Sequence, residues 1–406
     1  MNTTTHVDQT EMSQYDILDK CVACGSSDLF NYLDLHSQPL ANSYHDNKTQ
    51  LPQYPLGLNV CEQCWHSQLT VAVDPELMFK EYLYVSGTSK TLRDYCEWFA
   101  DYCGEYQQPG SVLDIACNDG TQLDSFAKRG WKTAGVDPAE NLYPICAEKH
   151  DTVCDFWPIQ TAQQYDLIIA QNVFAHNSNP LEFLIAMGKS LKHDGYIRIQ
   201  TSQAFWLDNG EFDTTYHEHI SFFCANSMKT LVERAGLCLT DVTIGDIHGG
   251  SYIFTIRKTA KPTKVYSVAD HITRTELHKH NRGTYLQFAN NTQNCLSELQ
   301  DMINFLKAKG YSVLGYGAAA KGNTVLNAGK IRLDAIIDDN ELKQNSYTPG
   351  SNIPIVNKQI LNTTTQPIAI VPLAWNFYSE IVNNVKTYTN KDIVYIKYFP
   401  NLEVTK

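Results

Sequence analysis

The densest set of groups able to move protons is Tyr216-His217-Glu218-His219, followed by Ile220-Ser221-Phe222-Phe223. Histidine titrates near neutrality and suits general-base work. Glu218 could orient a neighbouring imidazole and stabilise its protonated form, and Tyr216 could donate a hydrogen bond to an oxyanion. His176, at the end of Asn172-Val-Phe-Ala-His176, could point into the same cleft. Two other readings stay open for the cluster. It could bind a metal, although histidines two apart with an acid between them do not match HExxH spacing. It could also be a set of satisfied structural histidines.

A second chemistry lies near the start of the chain, where Cys21 and Cys24, then Cys61 and Cys64, form two CxxC pairs. Each pair can offer two thiolates from one tight turn, and two turns complete a tetrahedral Zn²⁺ shell. Gly25, directly after Cys24, suits a turn that needs positive φ. The 25–60 loop is longer than usual ribbon spacing, and reduced core cysteines or a redox CxxC are the competing readings. Four thiolates would close the shell, so the zinc would be structural, and His36 and His66 are not needed as ligands. A nucleic-acid-binding finger is excluded by charge: residues 1–80 hold three lysines against ten acids, and such a surface repels phosphates.

These groups need elements to position them. From residue 111, short apolar runs alternate with helical segments: 111–116, 132–137, 166–174 and 195–201 as strands, with a helix at 180–192. This succession predicts a doubly wound parallel sheet, with ligands at the carboxyl ends of its strands. Asp114 closes the first apolar run just before Asn118-Asp119-Gly120. Asp137 ends the second strand, where an acid can accept hydrogen bonds from ribose hydroxyls. The geometry serves NAD or S-adenosylmethionine (SAM). A loop with Gly120 alone lacks the glycines that close on a pyrophosphate, which favours SAM; a turn that binds nothing is the bland alternative. Tyr82 to Ser89, rich in hydroxyls, either covers the cleft or forms an aromatic linker.

Beyond a helical stretch at roughly 264–309, Gly315-Tyr316-Gly317-Ala-Ala-Ala320 gives G-x-G-x-x-A, with Asp338 23 residues after Gly315. A dinucleotide-type unit follows. Asn323 stands where a P-loop carries its lysine, which disfavours an ATPase or kinase. A helix start beside Lys321 would still suit a diphosphate. The whole chain of 406 residues carries a net charge of −12 and is 43% hydrophobic. No apolar run approaches the ~18 residues of a membrane span, and MNTTTHVDQT is no secretory leader. A soluble cytoplasmic protein is expected, with no nucleic-acid or membrane partner.

Taken in order, these motifs resemble the three-domain SAM-dependent sugar C-methyltransferases, including the 3-C-methyltransferases of deoxysugar biosynthesis. The resemblance rests on the CxxC pairs with 39–42 (PLAN) and 54–61 (YPLGLNVC), 86–89 (SGTS) and the 118–120 turn. It continues through 172–176, 216–223, 248–251 (HGGS), 315–327 and 337–355. It implies an α/β chain: a small zinc-binding domain (15–80), a class I SAM methyltransferase Rossmann-like domain (81–260) and a Rossmann-like nucleotide-sugar-binding domain (261–406). The implied substrate is a nucleotide-linked 4-keto sugar, held largely by the carboxyl-terminal domain and methylated at C3. His219 would be the base, with Tyr216 and Glu218 as companions and His176 and Tyr84 as secondary candidates. Asp114, Asn118, Gly120, Asp137 and Asn172 would meet SAM. Tyr82, Ser86, Lys321, Tyr316, Asn323 and Asp338 would meet the substrate. One departure stands out: Ala116 occupies the first position of the SAM turn, where relatives usually carry glycine. O- or N-methylation of a small metabolite, a non-catalytic nucleotide-sugar binder and an NAD-dependent sugar oxidoreductase are the alternatives.

Overall fold

The computed structural model describes residues 14–82, 85–88, 90–247, 249–259 and 268–406. Its centre is a seven-stranded sheet. In spatial order the strands are Cys238–Gly245, Ser251–Arg257, Leu191–Thr201, Tyr165–Gln171, Ser111–Ile115, Lys132–Val136 and Asp151–Val153. The last five run parallel; Ser251–Arg257 is inserted antiparallel to both of its neighbours. This is the class I SAM-methyltransferase arrangement. The central strands are almost wholly apolar because parallel sheets are covered on both faces. Asp114, and Arg198 and Gln200 on Leu191–Thr201, are buried exceptions.

The turn leaving Ser111–Ile115 is built from left-handed residues: Ala116 (φ 65°), Asn118 (φ 52°) and Gly120 (φ 84°). Asp137 fixes it from the next strand, its carboxylate accepting the N–H of Asn118 and of Ala139, both at 2.8 Å. Gly120 is required twice over. Its φ favours glycine, and a Cβ there would lie 2.9 Å from Cys146 Sγ.

The amino-terminal sheet is a hairpin, Leu29–Gln38 with Tyr54–Cys61, extended by Ser67–Leu69. Its fourth strand, Ser221–Phe222, comes from the central part of the chain and pairs with Ser67 and Gln68. The two CxxC turns meet at one end. Cys21 and Cys64 Sγ lie 3.6 Å apart, and Cys24 and Cys61 Sγ 3.5 Å apart. A tetrahedron with ~2.3 Å Zn–S bonds has edges of ~3.8 Å, so the four sulfurs fit a closed structural zinc. Gly25 has the positive φ that the turn requires (83°).

The carboxyl-terminal sheet runs Ile355–Val356, Ala335–Ile337, Ser312–Tyr316, Ile368–Pro372, Ile393–Lys397 and Glu403–Thr405, parallel except for the last pair. In chain order this is 3-2-1-4-5-6, the doubly wound dinucleotide order. The helical stretch before it is split into Val268–Thr275 and Arg282–Ala308. Asn281 starts the second helix by accepting the Thr284 N–H, a capping signal that restarts rather than continues a helix.

The cores are not partitioned by domain. One runs from the hairpin (Leu33, Leu58, Val60) through Tyr285 and Phe288 into the carboxyl-terminal sheet. Another joins Cys21, Cys61 and Cys64 to the central sheet. The amino-terminal unit is therefore wedged between the other two.

Two outcomes are expected. Elemental analysis should find one zinc per chain, and Cys64→Ser should lose it with about 3 kcal/mol or more of stability; thermal melting that ignores both chelator and this substitution refutes the structural zinc. Ala116→Gly removes the left-handed penalty of about 1–2 kcal/mol and adds unfolded-state freedom. A net gain of about 0.5–1 kcal/mol in denaturant melts is expected, and a loss would contradict it.

Candidate active site

A cavity of about 470 Å³ opens at the carboxyl ends of Ser111–Ile115, Lys132–Val136 and Tyr165–Gln171. Asp114, Asn118, Asp137 and Asn172 line it. Gly120 does not; it serves the turn. Burial, and secondarily the Asp137 charge, pushes the Asp114 carboxyl well above the ordinary carboxylate range. Burial also raises Asp137, while the two backbone N–H groups oppose that shift. Phe156 and Trp157, just past Asp151–Val153, form another wall that the sequence reading missed. Their signal was there: a strand end in an α/β sheet is a ligand position, but Asp151–Val153 is only three residues long.

Tyr82 and the 85–88 turn border this cavity. The Ser86 N–H donates to Asn118 Oδ1 at 2.9 Å, and the Gly87 N–H donates to Asp119 Oδ2 at 2.8 Å. Gly87 is needed for that approach, since a Cβ would sit 2.6 Å from Asp119 Oδ2. Tyr82 and Ser86 line the cavity. Tyr84, named above as a secondary catalytic candidate, lies outside the described residues.

His176, Tyr216 and His219 line the same cavity. The His219 Nδ1–H donates to the Thr214 carbonyl at 2.7 Å, which leaves Nε2 as the basic nitrogen, 2.9 Å from Tyr216 Oη. The imidazole is thus oriented by Thr214, not by Glu218 as its place in the sequence suggested. Burial holds the Tyr216 phenol well above its ordinary value, so it is a donor, not a base, in neutral solution. His176 stacks on His219 with centroids 5.1 Å apart and on Phe79 at 5.7 Å. Burial lowers its pKa to about 4, so it is a neutral wall.

Neither of the two residues between Tyr216 and His219 lines the cavity itself. His217 Nε2 lies 3.3 Å from the carbonyls of both Tyr54 and Pro55, docking the turn on the hairpin. The histidines therefore diverge and cannot share a metal. Glu218 is buried and accepts from the Asn42 amide at 2.6 Å and the Tyr82 hydroxyl at 3.4 Å. Desolvation raises its pKa to about 7.

Of the carboxyl-terminal candidates, Lys321 reaches the cavity, with its Nζ 3.6 Å from Glu211 and 4.8 Å from the centre of the Trp375 ring. The other three are engaged in the fold. Tyr316 donates to Asp339 at 2.8 Å, and Asn323 donates to the Ala41 carbonyl at 2.7 Å. Asp338 accepts the N–H groups of Ala318 and Asn340. The mouth of this second Rossmann unit is filled from within: Tyr44 Oη and Lys343 Nζ both donate to the Ala318 carbonyl at 2.7 Å. A further group of possible metal ligands, Cys224, Glu276 and His280, is explained by helix capping. Glu276 accepts the N–H groups of Ala225 and Asn226 and the Tyr252 hydroxyl.

Among the described residues, no helix is long and apolar enough to cross a membrane. Three family models match the chain in succession. They are a putative zinc binding domain over residues 21–79, a methyltransferase domain over 88–242 and a C-methyltransferase C-terminal domain over 246–400. The chain is 28% identical over 396 residues to the C-methyltransferase NovU of Streptomyces niveus, a match spanning 91% of this chain and 93% of that protein. A ubiquinone biosynthesis O-methyltransferase of Ruegeria sp. (strain TM1040) is 26% identical over 151 residues, 31% of this chain and 59% of that one. Among solved structures, the plantazolicin methyltransferase BpumL in complex with SAH and a pentazolic analog is 16% identical. That match spans 43% of this chain and 87% of the other, with a TM-score of 0.35. With the closed cluster of four cysteines, the class I sheet and matches to all three parts in order, the chain is a SAM-dependent methyltransferase, similar along its length to C-methyltransferases with an amino-terminal zinc-binding domain.

Proposed function

We propose that the protein methylates C3 of a nucleotide-linked 4-keto-deoxysugar, with His219 as the base that forms the enolate. The observation that carries this reading is the His219–Tyr216 pair: a basic Nε2 and a phenol that stays protonated, lining the same cavity as Asp114 and Asp137. Carbon becomes nucleophilic beside a ketone only when the base and an oxyanion donor act together. His219 Nε2 takes the C3 proton as Tyr216 turns its hydroxyl from Nε2 to the C4 oxygen. The neutral His176 ring and Phe79 keep this pair dry, which strengthens the hydrogen bond. Bound SAM supplies an electrophilic methyl, and Asp114, Asn118, Asp137 and Asn172 are the residues that would hold it. Ser86 and Tyr82 close the site. Lys321, close to Glu211 and half-shielded by Trp375, is the cation available to the diphosphate. The resemblance noted from sequence supplies the sugar; the cavity supplies the acid–base geometry. Twelve unpaired cysteines suit work in the reducing cytoplasm.

The chemistry is checked by incubation with SAM and a panel of dTDP- and GDP-linked 4-keto sugars, followed by product NMR. A methyl on carbon C3 is expected, and a methyl on oxygen or nitrogen would refute the reading. In heavy water, His219→Ala should slow C3 proton exchange by about 10²–10⁴-fold. Undiminished exchange would remove His219 from the base role.

The same reading sets a pH dependence for SAM. A cationic ligand beside Asp114 binds the ionised carboxylate better than the acid, so binding releases a proton while the free carboxyl is protonated. Affinity should rise with pH, by up to about tenfold per unit below the raised pKa. Asp114→Asn should flatten that slope in calorimetric titrations. A wild-type affinity independent of pH would count against Asp114 as the partner of the cation.

A further inference from the structure

We infer that Asn42, carried by the zinc-binding domain, is a positioning residue for the acid–base turn: its amide holds Glu218 as an oriented carboxylate beside Tyr216 and His219. The inference rests on the proposed enolate chemistry for its purpose, though not for its geometry. Asn42 sits in the short turn that follows the strand Leu29–Gln38. Residues on both sides of it are clamped by the carboxyl-terminal domain. The Ala41 carbonyl accepts from Asn323 at 2.7 Å, and Tyr44 Oη donates to the Ala318 carbonyl at 2.7 Å. Lys343 Nζ lies 5.0 Å from the Tyr44 ring centre, and His45 bridges to Tyr347. Within this clamped turn the Asn42 Nδ2–H is directed at Glu218 Oε1, 2.6 Å away across 176 residues of sequence.

Glu218 has reason to need such a donor. It is buried, and the titratable groups set against it are phenols: Tyr82 from the cavity border, Tyr44 from the amino-terminal turn and Tyr216 from its own segment. Asp338 acts on the Tyr44 phenol and Asp213 on that of Tyr216, both adding negative charge. The side chains that hydrogen-bond the Glu218 carboxyl, those of Asn42 and Tyr82, are neutral, and Lys343 lies against the Tyr44 ring instead. A carboxylate in such a place stays charged only through its hydrogen bonds, because desolvation favours the neutral acid. Burial brings Glu218 up to about 7, and the Asn42 amide is the larger of the two hydrogen bonds opposing that rise. Near neutrality the amide therefore decides how much of Glu218 is charged. A charged Glu218 favours the imidazolium that forms when His219 accepts a proton.

The test is a comparison of Asn42→Ala and Asn42→Asp with the full-length wild type. Two readouts are used: the pH profile of kcat, and the carboxyl titration of ¹³C-labelled glutamate, with Glu218→Gln identifying the signal. Asn42→Ala should move the Glu218 titration and the acid limb of kcat upward by about one pH unit. Activity at pH 7 should fall by up to about tenfold and recover in alkali, with KM for SAM unchanged. The isosteric Asn42→Asp places a second acid against the first, so its shift should be larger. A purely structural bridge would lower kcat at every pH without moving either midpoint. That result, or a Glu218 titration superimposable on wild type, overturns the inference. Because the titration reads the Asn42–Glu218 contact in the protein itself, it is separable from failure of the C3 assignment, which product NMR reports.

Discussion

The active site depends on one short strand pairing, Ser221–Phe222 against Ser67 and Gln68. It converts the segment carrying Tyr216, Glu218 and His219 from a loop of the methyl-transfer domain into the edge of the zinc-bound sheet. The Leu69 N–H, donating to the Ile220 carbonyl at 2.9 Å, extends the same ladder to the residue after His219. His217, set against the Tyr54 and Pro55 carbonyls, seals the other side. A base must be held within a few tenths of an ångström to abstract a proton efficiently. Strand pairing supplies that rigidity where a surface loop could not. The four cysteines do not line the cavity, and a zinc bound there would act through this sheet.

Desolvation then sorts chemically similar groups into different roles. Tyr216 and His176 share one dry pocket, and burial keeps the first protonated and the second uncharged. Burial raises Glu218 to about 7, and the two donors that reach it oppose that rise. His219 is distinguished by geometry, since its Nδ1–H is fixed to a carbonyl and only Nε2 is left to react. Among titratable neighbours in one turn, the hydrogen-bond partners set which nitrogen or oxygen can accept a proton.

Legibility in the sequence followed the range of the interaction. The parallel heart of the class I sheet was readable because four of its strands are local apolar runs ending at turn signals, and Asp114 and Asp137 were found by their place in those runs; the antiparallel pair Cys238–Gly245 and Ser251–Arg257 was not read. The four cysteines were readable because CxxC is a local motif with strict chemistry. The Ala116 departure acquired its meaning only with the observed φ of 65°, which is what makes glycine the easier residue there. What could not be read was long-range: the Asn42–Glu218 contact joins residues 176 apart, and the Thr214 carbonyl displaced Glu218 as the imidazole's partner. The wall made by Phe156 and Trp157 follows a three-residue strand too short to show in periodicity.

The two Rossmann-like units show why a fold signature does not by itself locate a ligand. Both have a glycine-bearing turn after the first strand and an acid after the second, and in both the acid accepts backbone N–H groups of that turn. In the central unit the turn stays open to a cavity. In the carboxyl-terminal unit Tyr44 and Lys343 converge on the Ala318 carbonyl, and Asn323 receives Ala41. The same crevice that could grip a diphosphate grips the amino-terminal domain, and this grip holds Asn42 in place. Of its motif, Lys321 projects past the seal to the shared cavity. The crossover of this unit thus also serves as a socket for another domain, fixing where that domain's side chains arrive.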